Sequence, residues 1–392
     1  MTVVHTPQRR MTQRQSPSLR TLGVEEEFFL VDGATLRLVP AAEAILAVAS
    51  RLPAAAIGPG RSPLTFHPEF QREQIEVVGP PIRTRSELVA VITEGRHLLG
   101  RAARSVGALA LPVATAPEPC TPHLAAVSRY EVIAEQFGAT AREQLTCGMH
   151  IHVAVTSSEE GVGVLDRVRH WLPIVLALSA NSPFSNGGDT GYASYRYQAW
   201  GRWPTSGPTD TFGSLDNYRR EVEAAVASGV CLDDGMIYFD ARLSAHAPTV
   251  EIRIADVCLR AQDAVTIPLL VRALVDRAAA DWRAGTPPLA CSAASLRIAS
   301  WRASRWGLHG HLLHPLEQRL VPAATAVQAL LAHVDEHYFT PVERLQIRRD
   351  VAAILGRGNG SALQRAAARA GGSLRSAVGD ALREGAIPPS NT

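Results

Sequence analysis

Three consecutive carboxylates open the most chemically loaded stretch of the sequence, Gly23-Val24-Glu25-Glu26-Glu27-Phe28-Phe29-Leu30-Val31. The aromatic and branched residues that follow predict a β-strand. Strand side chains alternate between faces, so Glu25 and Glu27 share one face and Glu26 takes the other. Neighbouring carboxylates repel, and burying them without partners is costly, so they call for arginine, lysine or a metal ion. A second stretch, Cys147-Gly148-Met149-His150-Ile151-His152-Val153-Ala154-Val155, puts two imidazoles on one face of a strand. A third, Thr249-Val250-Glu251-Ile252-Arg253-Ile254-Ala255-Asp256, turns Glu251 and Arg253 away from its aliphatic side. Glu69 and Glu76 come from a further segment, His67 to Val78. Each segment alone also reads as an ordinary solvated or ion-paired strand; it is their number that points to a shared site. A carboxylate-rich floor suits Mg2+, which prefers oxygen ligands and shares itself with phosphates. Arg196, Arg242 and Arg253 are then candidate bidentate anion holders. Neither a Walker A nor a Rossmann glycine pattern occurs, so a nucleotide has to be held by metal bridges and arginines. That chemistry is phosphoryl transfer.

Such a floor needs a sheet packed by helices on its aliphatic side. Strands are expected over 23–31, 67–78, 109–115, 147–155, 236–242 and 249–256, with Thr35 to Val39 as a hairpin partner of the first. Helices are expected over 41–51, 84–106, 129–137, 162–180 (kinked at Pro173) and 216–228. From Ala261 onward the chain reads as helical: 261–284, 292–306, 315–337, 341–355 and 361–383, with interruptions at Gly307, Pro322 and Gly371-Gly372. The loop Asn186 to Arg196 is polar, glycine-rich and longer than a connector needs, which suits an anion-binding or lid segment. Strands first and helices last make an α+β plan.

The 392 residues, 46% hydrophobic and 19% charged, have ample material for a core, and a formal charge of +2 carries no nucleic-acid footprint. No apolar run reaches the roughly 18 residues of a membrane span. Residues 1–20 carry Arg9, Arg10, Arg14 and Arg20 without an apolar core and are expected to be a flexible arm before a single domain, 21–392. Five scattered cysteines without a CxxC pair fit reduced thiols in a cytoplasm.

The segments from Gly23 to Glu27, Cys147 to Val153, Asn181-Ser182-Pro183, Asp189 to Arg196 and Thr249 to Arg253 together resemble the glutamate–cysteine ligase type 2, or carboxylate-amine ligase, family. The resemblance covers nearly the whole chain from about Thr21. It implies a glutamine-synthetase-like fold, an antiparallel sheet of about six strands backed by helices, whose open face forms a funnel. It also implies that ATP phosphorylates the γ-carboxylate of glutamate and that an amine such as cysteine displaces phosphate. Carried over to this sequence, it assigns Mg2+ binding to Glu25, Glu27, Glu76 and Glu251, with Glu69 and His150 in the shell. Arg253 and Arg196, with Glu251, are the implied catalytic residues. Arg196, Arg242, Arg253, Ser194 and His152 are the implied nucleotide contacts, His152 through hydrogen bonding because imidazole is a mediocre Mg2+ ligand. Two stretches depart from the family pattern: Val77-Val78-Gly79-Pro80 lacks an expected threonine, and Leu111 to Ala116 is less polar. They leave the acid and the amine open. A homodimer is the expected assembly. Two rival readings are a metal-dependent hydrolase built on the HxH strand, recruiting His246 and Asp256, and a relative without activity serving as a scaffold.

Overall fold

The computed structural model describes residues 19–52, 62–335 and 340–385. Its organising element is β1 (Leu22–Asp32), long enough to take partners on both edges at once. The hairpin β2 (Thr65–Pro68) and β3 (Gln74–Val78) lies on one side, and β4 (Ala108–Leu111) and β5 (Met149–Ala154) share the other. A two-residue ribbon, β6 (Phe184–Ser185) and β7 (Gly188–Asp189), stands apart. β8 (Ala241–Leu243) and β9 (Thr249–Ile252) complete the main sheet, in the order β2-β3-β1-β5-β9-β8 with β4 against the end of β1. All its pairings are antiparallel, and it has seven strands, one more than the expected six or so.

Helices Arg85–Ser105 and Ala261–Arg283 back the sheet. The first begins with a capping box: the Thr84 side chain accepts from Glu87 N–H, and the Glu87 carboxylate answers the Thr84 N–H. Core side chains such as Val24, Phe28, Leu30, Ile75, Leu99 and Leu270 are almost wholly buried between sheet and helices. Glu26 points into that layer and is rescued by Arg96, whose Nη2 and Nε meet its carboxylate at 2.6 and 3.2 Å. Arg96 also donates to the carbonyls of Cys258 and Leu259 at 2.7 and 3.0 Å, which offsets the cost of burying the pair.

Several elements differ from expectation. The 67–78 strand is two strands, because Pro68 cannot donate to a ladder and the chain turns between Glu69 and Glu73. The expected partner Thr35–Val39 is reduced to one bridge, Val31 to Leu38. A 3-10 turn (Asp234–Met236) takes the start of the 236–242 strand. The 162–180 helix is divided into Ser158–Val168 and Leu172–Ser179, with Pro173 in the first turn of the second, where its missing N–H costs nothing. The 315–337 helix is a hairpin, His311–Leu313 with Leu320–Pro322, followed by helix Ala323–Asp335. Gly372 ends helix Gly360–Gly371 in the left-handed region. Residues 1–18 of the expected arm lie outside the described residues. Arg20 belongs to the fold, since its guanidinium meets Glu160 at 2.6 Å and Asp276 at 2.8 Å. No described helix is long and apolar enough to cross a membrane.

Candidate active site

The antiparallel register sets the polar residues of the strands in three successive ranks on the open face. Glu27 lies opposite Glu76, Glu25 opposite His150, and Glu251 opposite both His152 and Arg242. Directly opposed residues stand about 4.5–5.5 Å apart at Cβ, within contact of each other. His150 bridges the two carboxylates of β1, with Nδ1 3.2 Å from Glu25 and Nε2 3.5 Å from Glu27. His152 Nε2 lies 3.3 Å from Glu25, and its Nδ1 meets the Thr249 hydroxyl at 3.0 Å. Glu27 accepts the Gly148 N–H at 2.5 Å. Glu251 sits between two arginines, 2.7 Å from Arg242 Nε and in contact with Arg253 Nη1.

These ranks floor a cavity of about 640 Å³ that all six predicted metal ligands line: Glu25, Glu27, Glu69, Glu76, His150 and Glu251. Burial opposes the ionisation of Glu25, but the two imidazoles outweigh it and hold the carboxyl below its usual range. Burial likewise opposes Glu251, and Arg253 and Arg242 reverse it. At Glu69 and Glu76 the pull of Arg253 is outweighed. Burial, then the charge of Glu27, pushes Glu69 up to about 8; burial, then Glu69, Glu25 and Glu27, raises Glu76 well above the carboxylate range.

Among the described residues, three groups have ligand atoms within 4.8 Å of one another: Glu25, Glu76 and His150; Glu25, His152 and Glu251; Glu27, Glu69 and Glu76. Mostly oxygen donors, enclosed by protein and repelling one another, fit a hard divalent cation such as Mg2+.

Of the predicted anion binders, Arg253 and Arg242 line the cavity and His152 joins them. Arg242 is tethered, its Nη1 donating to the carbonyls of Gly235 and Ile237 at 3.1 Å each. Arg253 is freer: its Nε has no partner among the described residues. Ser194 and Arg196 do not line the cavity. Ser194 caps the short helix Tyr195–Trp200 and is wholly buried, donating to Asp256 at 2.8 Å. Arg196 is 3% exposed, with donors directed at the carbonyls of Arg253 and Ile254 at 3.3 and 3.5 Å. The rival hydrolase set is not assembled either. His246 lines the cavity at the β8–β9 turn, whereas Asp256 is spent on Asn181, Ser182 and Ser194.

Sequence reasoning missed one wall, formed by Tyr130, Trp200, Trp203 and Tyr238 with Arg129 above. Trp200 and Tyr238 meet edge to face with centroids 4.9 Å apart, and the Arg253 guanidinium lies 5.9 Å from the Tyr238 ring centre. These residues come from three separate segments; Trp200 and Tyr238 each lie four residues from a singled-out arginine, Arg196 and Arg242, but no local pattern marks the aromatics as a wall.

Comparison with known proteins agrees with this geometry. The family model for glutamate-cysteine ligase family 2 matches residues 21–369. The chain is 49% identical over 353 residues to the candidate glutamate–cysteine ligase 2-1 of Paenarthrobacter aurescens, covering 89% of this chain and 91% of that one. It is 46% identical over 366 residues to its namesake in Streptomyces avermitilis, covering 93% and 99%. Among solved structures, the glutamate–cysteine ligase of Francisella tularensis in complex with AMP superposes with a TM-score of 0.66 at 10% identity, over 94% of this chain and 88% of that one. The bifunctional glutathione synthetase of Pasteurella multocida gives 0.65 at 14% identity over 94% of this chain, which spans only 52% of that longer protein. These two likenesses establish a common fold. The sequence matches go further: the chain belongs to glutamate-cysteine ligase family 2 and is an ATP-dependent ligase.

Proposed function

We propose that the protein joins a carboxylic acid to an amine through an acyl phosphate, with ATP as phosphoryl donor, glutamate as the acid and cysteine or another amine as the nucleophile. The observation that carries this reading is the set of facing pairs Glu76–Glu27, Glu25–His150 and His152–Glu251–Arg242, a carboxylate floor edged with guanidinium groups. A carboxylate is a poor electrophile, and phosphorylation supplies its leaving group. Glu25, Glu27, Glu76 and Glu251, with Glu69 and His150, are the residues that would hold Mg2+, which when bound offsets the charge of phosphate oxygens. Arg253, largely enclosed and with donor capacity to spare, lowers the repulsion between two approaching anions and steadies charge on the transferring phosphoryl. Arg242 and Arg253 together keep Glu251 ionised. The pair of imidazoles does the same for Glu25. The aromatic wall excludes water, which would otherwise compete with the amine for the acyl phosphate. The same reading places the protein in the cytoplasm, where ATP is available, and keeps the expected homodimer, which light scattering checks.

Phosphate release from Mg-ATP by purified protein tests the proposal. Release that requires both glutamate and an amine, and that Glu25→Gln and Glu251→Gln abolish in folded protein, supports it. Release with neither co-substrate, or tightly bound zinc without nucleotide turnover, overturns it.

A further inference from the structure

Two motifs take no part in the cavity, Asn181-Ser182-Pro183 and the end of the polar loop, Ser194-Tyr195-Arg196. The fold wraps both around one carboxylate. Asp256, wholly buried, accepts the Asn181 N–H and the hydroxyls of Ser182 and Ser194, each at 2.8 Å. The Ser182 hydroxyl in turn accepts the backbone N–H of Arg196 at 3.0 Å, and the Arg196 guanidinium lies 4.0 Å from Asp256. A carboxylate this deep persists only where donors converge on it, so the assembly fixes its members in one arrangement.

What it fixes is the place of Gly148. A methyl group placed there would come within 2.2 Å of Arg196 Nη2, so the guanidinium lies flat against a residue that must have no side chain. Gly148 also bridges to the backbone of Asp256. Its N–H is the donor to the Glu27 carboxylate at 2.5 Å, and its carbonyl accepts the Glu27 N–H at 3.1 Å. The line from Asp256 through Arg196 and Gly148 therefore ends on a carboxylate of the cavity floor.

We infer that Asp256, Ser194 and Arg196 form a positioning device that sets the Gly148 peptide and, through it, the Glu27 carboxylate for the metal. Arg196 lies over Gly148 on the face that also carries Glu27 and His150, acts on the floor through that glycine, and is a positioning residue. The inference rests on the reading of the floor as a metal site.

Mn2+ binding, followed by the loss of the free-ion spectrum in electron paramagnetic resonance without nucleotide, separates the alternatives. Arg196→Met and Gly148→Ala should each weaken Mn2+ binding about tenfold, the usual cost of losing a group that orients a metal ligand. Arg196→Lys should recover part of that loss. KM for the amine should stay as in the unaltered protein. Thermal melts identify variants that fail to fold, and Ser194→Ala, which deletes one hydrogen bond, is the milder substitute if Gly148→Ala does. Unchanged Mn2+ binding by folded Arg196→Met with a raised KM for ATP overturns the inference and makes Arg196 a direct phosphate contact. If the unaltered protein binds no Mn2+, the metal-site reading itself falls.

Discussion

Glu25, Glu26 and Glu27 are chemically identical and end in three environments, because a strand sends alternate residues to opposite faces. Glu26 is spent on structure, in a buried pair with Arg96, whereas Glu25 and Glu27 face the cavity. Substitution should separate the two roles. Glu26→Gln leaves Arg96 charged and buried, which costs about 3–5 kcal/mol in urea unfolding while activity per folded molecule survives. Glu25→Gln should leave the unfolding free energy in urea within about 1 kcal/mol and remove at least about 99% of activity. Asp240 gives a pH test away from the floor. Burial pushes its carboxyl up to about 7 despite the hydrogen bond from Tyr197, against 3.8 for an ordinary aspartate. The folded state keeps this proton after the unfolded chain has lost it, so stability falls as pH rises between those values. Relative to Asp240→Asn, the unaltered protein should lose up to about 1.4 kcal/mol per pH unit from about pH 4 to pH 7 and nothing further above, by urea unfolding at stepped pH. An unchanging difference across that range would show that Asp240 is already ionised.

At the scale of elements, the sequence showed the strands of the floor because each carries its own alternation, and alternation is a local signal. Glu25, Glu27, His150, His152, Glu251 and Arg253 were legible for that reason, and the antiparallel register then brought them together. Boundaries were lost where tertiary contacts decide them. The polar stretch Pro315–Arg319 has helix-compatible composition, yet the flanking Leu312 and Val321 are buried as opposite members of a hairpin. The aromatic wall and the Asp256 cluster join residues distant in sequence, so no window over the chain contains them. Close helix packing is equally silent. Gly163, in Ser158–Val168, faces Trp282 of Ala261–Arg283 so tightly that an added methyl would come within 2.2 Å of the indole. Gly163→Ala should therefore cost about 1–3 kcal/mol of stability despite alanine's better helix propensity, because two backing helices must part. Thermal unfolding checks it, and a stabilised variant would mean that Trp282 rotates away freely.

For the whole molecule, the floor is a liability that the remaining fold must offset. Glu69 and Glu76 face Glu25 and Glu27 inside a protein cavity, and repulsion among them opposes folding. Domains keep only about 5–15 kcal/mol in reserve, so a few such contacts matter. Because Glu69 titrates near 8 when folded, and near 4.5 when unfolded, the metal-free protein should lose stability as pH climbs through that window. Divalent cation should return it. Mg2+ at a hundredfold excess over its dissociation constant adds about 2.7 kcal/mol if it binds only the folded chain. Glu69→Gln then makes a paired prediction, read by thermal unfolding above about pH 8 with and without Mg2+. In a chelator the variant should be the more stable protein by about 1–2 kcal/mol, since one repelling charge is gone. With Mg2+ the order should reverse or close, since a ligand is gone too. A variant less stable under both conditions would mean that Glu69 supports the fold directly, and a protein indifferent to Mg2+ would remove the physical reason for gathering these carboxylates.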